Sequence, residues 1–161
     1  MSLAASGTAV ALYLFSSGVG GFFGGPAADR FGPKRVIALS LVLASPFLFF
    51  APALHGWQFL VVIAIGGFFL QSTLPVNVTF GQSIAPVSAA TVSSLMMGFA
   101  WGMGGLSVPI VGLVADRVGI EPTLRGLALV PLAAAACALP LPGRARVAAP
   151  SRPADVGVPE P

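Results

Sequence analysis

The sequence predicts an all-α membrane protein with about five transmembrane helices. Three observations carry that prediction. Apolar residues make up 56% of the chain and charged residues 8%, whereas a soluble domain carries roughly 25% charged residues. Nothing charged occurs from Met1 to Ala28 or from Val36 to Ala115. The second run is several times the ~20 residues that cross a bilayer. The charges that do occur are gathered: Asp29, Arg30, Lys34 and Arg35 stand together between two greasy runs, as in a tight hairpin between membrane helices. A soluble helical domain apolar all round is the competing reading, and the run lengths oppose it.

The spans fall at about 3–25, 36–54, 58–80, 91–114 and 127–141. They form one helical bundle over residues 1–143, followed by a Pro- and Ala-rich tail over 144–161 that reads as disordered and cytoplasmic. The first span ends in small residues. Gly20/Gly24 and Gly21/Gly25 are both G-x-x-x-G pairs, which let another helix backbone approach closely. Ser6, Tyr13, Ser17 and Gly20 fall on one face, more polar than the rest, so that face looks inward rather than at lipid. The charged hairpin follows. Pro46 and Pro52 bend the second span or mark its end. His55-Gly56-Trp57 is a short turn, with Trp57 suited to the water–lipid interface; His55 reads as an interfacial side chain more readily than as a proton carrier.

The third span is the most polar inside, with Gln71, Ser72, Thr73, Asn77 and Thr79. Pro75 removes a backbone hydrogen bond and frees the carbonyl of Gln71, so this face is buried in protein or lines a wet cavity. Thr73 and Asn77 share one face; Gln71 and Gln82 share another. These polar groups are either site residues or hydrogen-bonding glue between helices. A loop over 81–90 carries Pro86 and no charge. The fourth span holds Gly98, Gly102, Gly104, Gly105, Pro109 and Gly112, and reads as kinked and closely packed. Ser94, Met97, Trp101 and Gly105 lie on one face of it. Trp101 lies away from the interfacial belt, and either stacks on a substrate or packs against helices. Residues 116–125 form a second charged loop ahead of the short fifth span, which contains Pro131 and Pro140.

The chain contains an echo. Gly25, Ala28, Asp29, Arg30 and Gly32 recur at the same spacing as Gly112, Ala115, Asp116, Arg117 and Gly119. The distribution of basic residues sets the orientation. With the first hairpin inside, Arg30, Lys34, Arg35, Arg144, Arg146 and Arg152 are cytoplasmic and only Arg117 and Arg125 are outside. The two A-D-R stretches then lie on opposite membrane faces, as an inverted repeat requires. The first span corresponds to the fourth and the second to the fifth. The third lacks a counterpart ahead of the first, so the chain reads either as part of a longer transporter or as a degenerate small protein. The start has no basic n-region and does not resemble a cleaved signal peptide. The small basic excess reads as topology information, with no nucleic-acid partner expected. One cysteine, Cys137, supports neither a disulfide framework nor a metal cluster, and no cofactor or metal is expected.

Gly25-Pro26-Ala27-Ala28-Asp29-Arg30-Phe31-Gly32-Pro33-Lys34-Arg35 resembles the hairpin signature of the major facilitator superfamily, G-x-x-x-D-R-x-G-R-R/K. Pro33 departs from it, and Lys34 and Arg35 supply the basic charge one step later. Gly98 to Gly105 with Pro109 and Gly112 is similar to the glycine-proline helix of drug/proton antiporters in that superfamily. Leu74 to Val78 and Ser94 to Gly102 resemble the fosmidomycin-resistance branch. The resemblance covers Leu3 to about Pro142. It implies that the five spans are helices eight to twelve of the major facilitator fold. It also implies alternating access, export of a small molecule (a drug or an organic anion) driven by a proton gradient, residence in the cell inner membrane, and an N-terminal half that this sequence does not contain.

On this reading Asp29 gates. It accepts from Arg30, Lys34 or a neighbouring helix N-terminus and holds one of two packings shut, with Asp116 its flipped echo; otherwise these charges only fix topology. Tyr13, Gln71, Thr73, Asn77, Ser94, Met97 and Trp101 are the candidate cavity. No carboxylate lies inside a span, so the chain by itself is not expected to couple transport to protons. A small membrane assembly protein and a non-functional truncated transporter are the alternatives. An enzyme is not expected, because no nucleophile–base pair, metal set or phosphate loop is present.

Overall fold

The computed structural model describes residues 3–85 and 88–140, with side chains from Ser6 onward. Among them every regular element is helical: α1 (Leu3–Phe31), α2 (Pro33–Phe50), a 3₁₀ turn at Ala51–Ala53, α3 (Gly56–Ile84), α4 (Ala89–Val118), α5 (Ile120–Leu127) and α6 (Val130–Ala138). Five stretches are long and apolar enough to cross a membrane: Ser6–Phe31, Pro33–Ala53, Gly56–Ile84, Ala89–Val118 and Ile120–Ala138. The last combines α5 and α6. Pro86 and the tail expected over 144–161 lie outside the described residues.

The helices overrun the limits read from the sequence. The stretch 26–35, read as a hairpin loop, is helical on both sides of Gly32. Pro26 lies inside α1, and the chain breaks only where Gly32 takes φ 88°. Residues 116–125 behave alike: α4 continues to Val118, Gly119 takes φ 93°, and α5 starts at Ile120. Charge marks a helix end that reaches water, not a loss of helix. A positive φ, which costs an L side chain but not glycine, marks the turn. The loop read over 81–90 shrinks likewise, since α3 runs to Ile84 and α4 begins at Ala89.

α3 is the centre of the bundle. α1 packs chiefly on α3, and α2 lies between α3 and α6. Neighbouring glycines give α3 two contact faces. A Cβ on Gly66 would press on Leu48 of α2, and one on Gly67 would collide with Tyr13 and Ser17 of α1. On α1, a Cβ on Gly20 or Gly24 would overlap the carbonyls of Phe68 or Ser72. Gly21 faces the carbonyl of Gln71 with room to spare, and Gly25 meets nothing. Only the first G-x-x-x-G pair therefore lets two backbones touch.

Hydroxyls tie these seams. Ser16 Oγ donates to the carbonyl of Ala64 at 2.8 Å, across α1 and α3. The hydroxyls of Ser72 and Ser40 are 3.0 Å apart across α3 and α2. Phe47 of α2 and Phe69 of α3 stack at 6.2 Å across the same pair of helices. The buried core gathers Ala28, Val36, Ile37, Leu41, Val76, Ala135 and Ala138, with Val76 fully enclosed.

α4 differs from the rest. It buries no residue. It is held to α3 near the connection between them, where Gln82 Nε2 donates to Ser93 Oγ at 2.6 Å and Gly81 faces Met96. At its other end it meets α5. Gly98, Gly102, Gly104, Gly105 and Gly112 have open space where a Cβ would point. The close packing expected from these glycines and Pro109 is therefore not formed with the described helices.

Candidate functional site

The hairpin of α1 and α2 is built from its glycine outward. The Gly32 amide donates to the carbonyl of Ala28 at 2.8 Å, capping α1, and Gly32's own carbonyl accepts from Val36 at 3.2 Å, opening α2. Pro33 occupies the start of α2, where a missing N–H costs nothing and its fixed φ suits the helix. The echo repeats this geometry. The Gly119 amide donates to Ala115 at 2.9 Å, and Gly119's carbonyl accepts from Thr123 at 3.4 Å. Backbone angles agree as well: Gly32 has φ 88° and ψ 141°, and Gly119 has φ 93° and ψ 157°. The two five-residue patterns thus make the same helix–glycine–helix joint. They stand at opposite ends of the bundle, because α1 and α4 run to opposite ends of α3.

The charges around the two joints differ. At the first, Asp29, Arg30, Lys34 and Arg35 line a cleft of about 880 Å³, closed on the α3 side by Thr79, Phe80 and Ser83 and reached by Leu139. Asp29 and Arg30 fall in the last turn of α1, and Lys34 and Arg35 in the first turn of α2. Two cations at a helix N-terminus oppose its dipole. At the second joint the first turn of α5 carries Glu121, which suits the dipole and pairs with Arg125 at 2.6 Å. Among the described residues that is the single ion pair within 4.0 Å. Asp29 makes none, and Arg30 lies over the ring of Phe31 at 5.7 Å. Asp116 and Arg117 are both exposed. Each acid in the described residues (Asp29, Asp116, Glu121) sits in the first or last turn of a helix and none near the middle of a span.

The candidate cavity residues divide into two groups. Tyr13 packs against Gly67 in the α1–α3 seam. Thr73 is buried and donates to the carbonyl of Leu70 at 2.7 Å. Gln71 and Asn77 are half-buried on α3. On α4, Ser94 is exposed and donates to Ala90 at 3.0 Å within its own helix, Met97 is exposed, and Trp101 is 74% exposed. The two groups do not close around one space, because α3 and α4 are tied by Gln82–Ser93 near their connection while the middle of α4 stands free. Gln71, Asn77 and Trp101 line no part of the hairpin cleft.

Sequence reasoning passed over three features. The Gly66–Gly67 pair in mid-span was a readable signal for helix contact on two faces. The Ser40–Ser72 contact was not readable, since it depends on which helices become neighbours. Ser17 Oγ, 4% exposed, has no hydrogen-bond partner; its face was readable but its lack of a partner was not.

The comparisons bear on what these joints belong to. Residues 1–154 match the family model of the Major Facilitator Superfamily. The fosmidomycin resistance protein of Escherichia coli (strain K12) is 37% identical over 122 residues, which is 74% of this chain and 30% of that protein. An uncharacterized MFS-type transporter of Bacillus subtilis (strain 168), YfnC, is 34% identical over 121 residues, 75% of this chain and 30% of that protein. The niacin transporter NiaP of Acinetobacter baylyi is 32% identical over 114 residues, 67% of this chain and 25% of that protein. No solved structure matches. The chain thus spans less than a third of the length of these curated relatives. With five membrane-spanning helical stretches and a family match along nearly its whole length, the chain belongs to the Major Facilitator Superfamily.

Proposed function

We propose that the chain forms part of the C-terminal half of a proton-coupled drug exporter in the cell inner membrane. The observation that carries this reading is the pair of matched joints, one of which gathers Asp29, Arg30, Lys34 and Arg35 around a cleft. The similarity to a fosmidomycin resistance protein supports export of a drug or organic anion. The excess of basic residues at the Gly32 joint favours a cytoplasmic placement for it and for the tail. Asp29 has no ion partner within the described helices, which leaves it free to accept from an element of the other half and to hold one packing shut.

The exposed glycines of α4 suit the same reading. Gly20 and Gly24 illustrate what such residues do once a partner helix arrives: backbones touch. Helices from an N-terminal half would pack on the free side of α4 and close the cavity between Gln71, Asn77 and Trp101. The proton-carrying acid then belongs to that other half, since the acids among the described residues stand only at helix ends and none near the middle of a span. The unburied face of α4 equally favours a second reading, a small assembly protein that binds other membrane helices.

A chimera separates the two. The matching segment of the Escherichia coli fosmidomycin resistance protein is replaced by this chain, and drug susceptibility is measured in cells. The exporter reading expects restored resistance, and loss of it with Asp29→Asn. A chimera that inserts and accumulates normally yet confers no resistance counts against it and favours the assembly reading.

A further inference from the structure

The last span is broken, and the break lines a groove. α5 ends at Leu127 and α6 begins at Val130, and Pro131 supplies no N–H to the carbonyl of Leu127. Leu48, Phe59, Ile63, Leu124, Leu127 and Pro131 border an apolar groove of about 450 Å³. That lies within the range of roughly 300–1,000 Å³ typical of small-molecule sites. The groove sits at the end of the bundle away from Gly32, where α2 finishes and α3 starts.

The helix that supplies Leu124 and Leu127 to this groove also carries charges of both signs. In α5, Ile120, Leu124 and Leu127 fall on one side, and Glu121 and Arg125 on the other, the pattern of a helix at a water–lipid boundary. The Arg125 guanidinium bonds Glu121 at 2.6 Å and lies 5.8 Å over the ring of Phe49. Its Nε is buried and has no hydrogen-bond partner. Leu124 precedes Arg125 and Leu48 precedes Phe49, and both leucines border the groove, so the ion pair is carried next in sequence to residues that line it.

We propose that the groove holds one acyl chain of a zwitterionic phospholipid, with its phosphate on Arg125 and its amine on Glu121. An apolar slot open to the bilayer matches the chain. Adjacent cation and anion at the interface match a headgroup that carries both charges, and the part of the Arg125 guanidinium that is exposed gives the phosphate a donor. An anionic headgroup would meet Arg125 but be repelled by Glu121.

The test counts bound lipid on the full chain in detergent by native mass spectrometry. The probes are phosphatidylethanolamine, phosphatidylglycerol and diacylglycerol with the same acyl chains. The expected result is one phosphatidylethanolamine per chain, with diacylglycerol bound about tenfold more weakly for want of charge-assisted hydrogen bonds. Leu127→Trp fills the groove and abolishes retention. Arg125→Gln weakens phosphatidylethanolamine about tenfold and leaves diacylglycerol unchanged. Circular dichroism checks that each variant folds; if Leu127→Trp does not, Arg125→Gln and the headgroup series decide. Unchanged retention in the folded variants overturns the proposal, as does diacylglycerol or phosphatidylglycerol binding as tightly as phosphatidylethanolamine.

Discussion

Replacing Gly24 by alanine should strike the bundle at its tightest seam. A Cβ there would overlap the carbonyl oxygen of Ser72 and stand 2.9 Å from its carbon and 3.1 Å from its Cα. Non-bonded carbons prefer about 3.5–4.0 Å, so α1 must retreat from α3 by roughly 0.5–1 Å. The obstacle is backbone on a rigid helix, with no rotamer to turn aside. Retreat loosens Gly20 on Phe68 and stretches the Ser16–Ala64 bond beyond its 2.8 Å. Overpacking of this kind costs about 1–3 kcal/mol, and a lost interhelical hydrogen bond about 0.6 kcal/mol more. The expected destabilisation is therefore about 1.6–3.6 kcal/mol. Gly18, in the same helix, has nothing within 4 Å of its Cβ position. Gly18→Ala should instead be neutral or stabilise by about 0.5–1 kcal/mol, as alanine does in a helix interior. The assay is reversible unfolding of the full chain in mixed micelles by denaturing detergent, followed by circular dichroism. Equal effects at positions 18 and 24 would refute the claim that α1 and α3 meet backbone to backbone at Gly24.

Other outcomes follow from the same geometry. Gly32→Ala and Gly119→Ala should each destabilise by about 1–2 kcal/mol, since alanine must adopt a positive φ, while Gly7→Ala, with open space around it, should not; the same unfolding assay measures all three. A double-mutant cycle of Ser40→Ala and Ser72→Ala should give a coupling near 0.6 kcal/mol, the average for interhelical hydrogen bonds in a membrane protein; a zero coupling contradicts the contact. Glu121→Gln should change stability by less than about 0.5 kcal/mol, because the Glu121–Arg125 pair is exposed; a loss above about 1 kcal/mol would mean that the pair is a structural tie. Vesicles containing this chain alone should show no uptake after a pH jump, and clear proton-driven uptake would place a coupling acid within the chain.

Much of the fold was legible because a bilayer leaves few options. With no water in the hydrocarbon core, long uncharged runs must be helices. The inward face of α1 was legible too, since Tyr13, Ser17 and Gly20 recur at helical spacing and all meet α3. Periodicity says which face of a helix is buried but not against which helix. That α1 packs on α3 more than on α2, its neighbour in sequence, came only from the structure. Helix ends were misread for a physical reason: Asp29, Arg30, Asp116 and Arg117 look like loop residues, yet a helix that reaches water carries charge without unwinding. Gly32 and Gly119, each capping one helix and opening the next, were the better boundary signals. The candidate cavity was the least legible part. Thr73 and Asn77 on α3 and Met97 and Trp101 on α4 share faces by spacing, but spacing does not reveal how far two helices diverge beyond their connection.

The chain carries one joint twice, at opposite ends of the bundle, and the proposed exporter sets the two copies on opposite faces of the membrane. Phe31 and Val118 occupy the same place in the two copies, just before Gly32 and Gly119, and both are exposed. The direct measurement uses Phe31→Cys and Val118→Cys, each with Cys137→Ser, since the sequence has one cysteine. A membrane-impermeant maleimide is applied to intact cells and then to opened ones. Val118→Cys should react from outside, and Phe31→Cys only once the cells are opened. Labelling of both from the same side would contradict it.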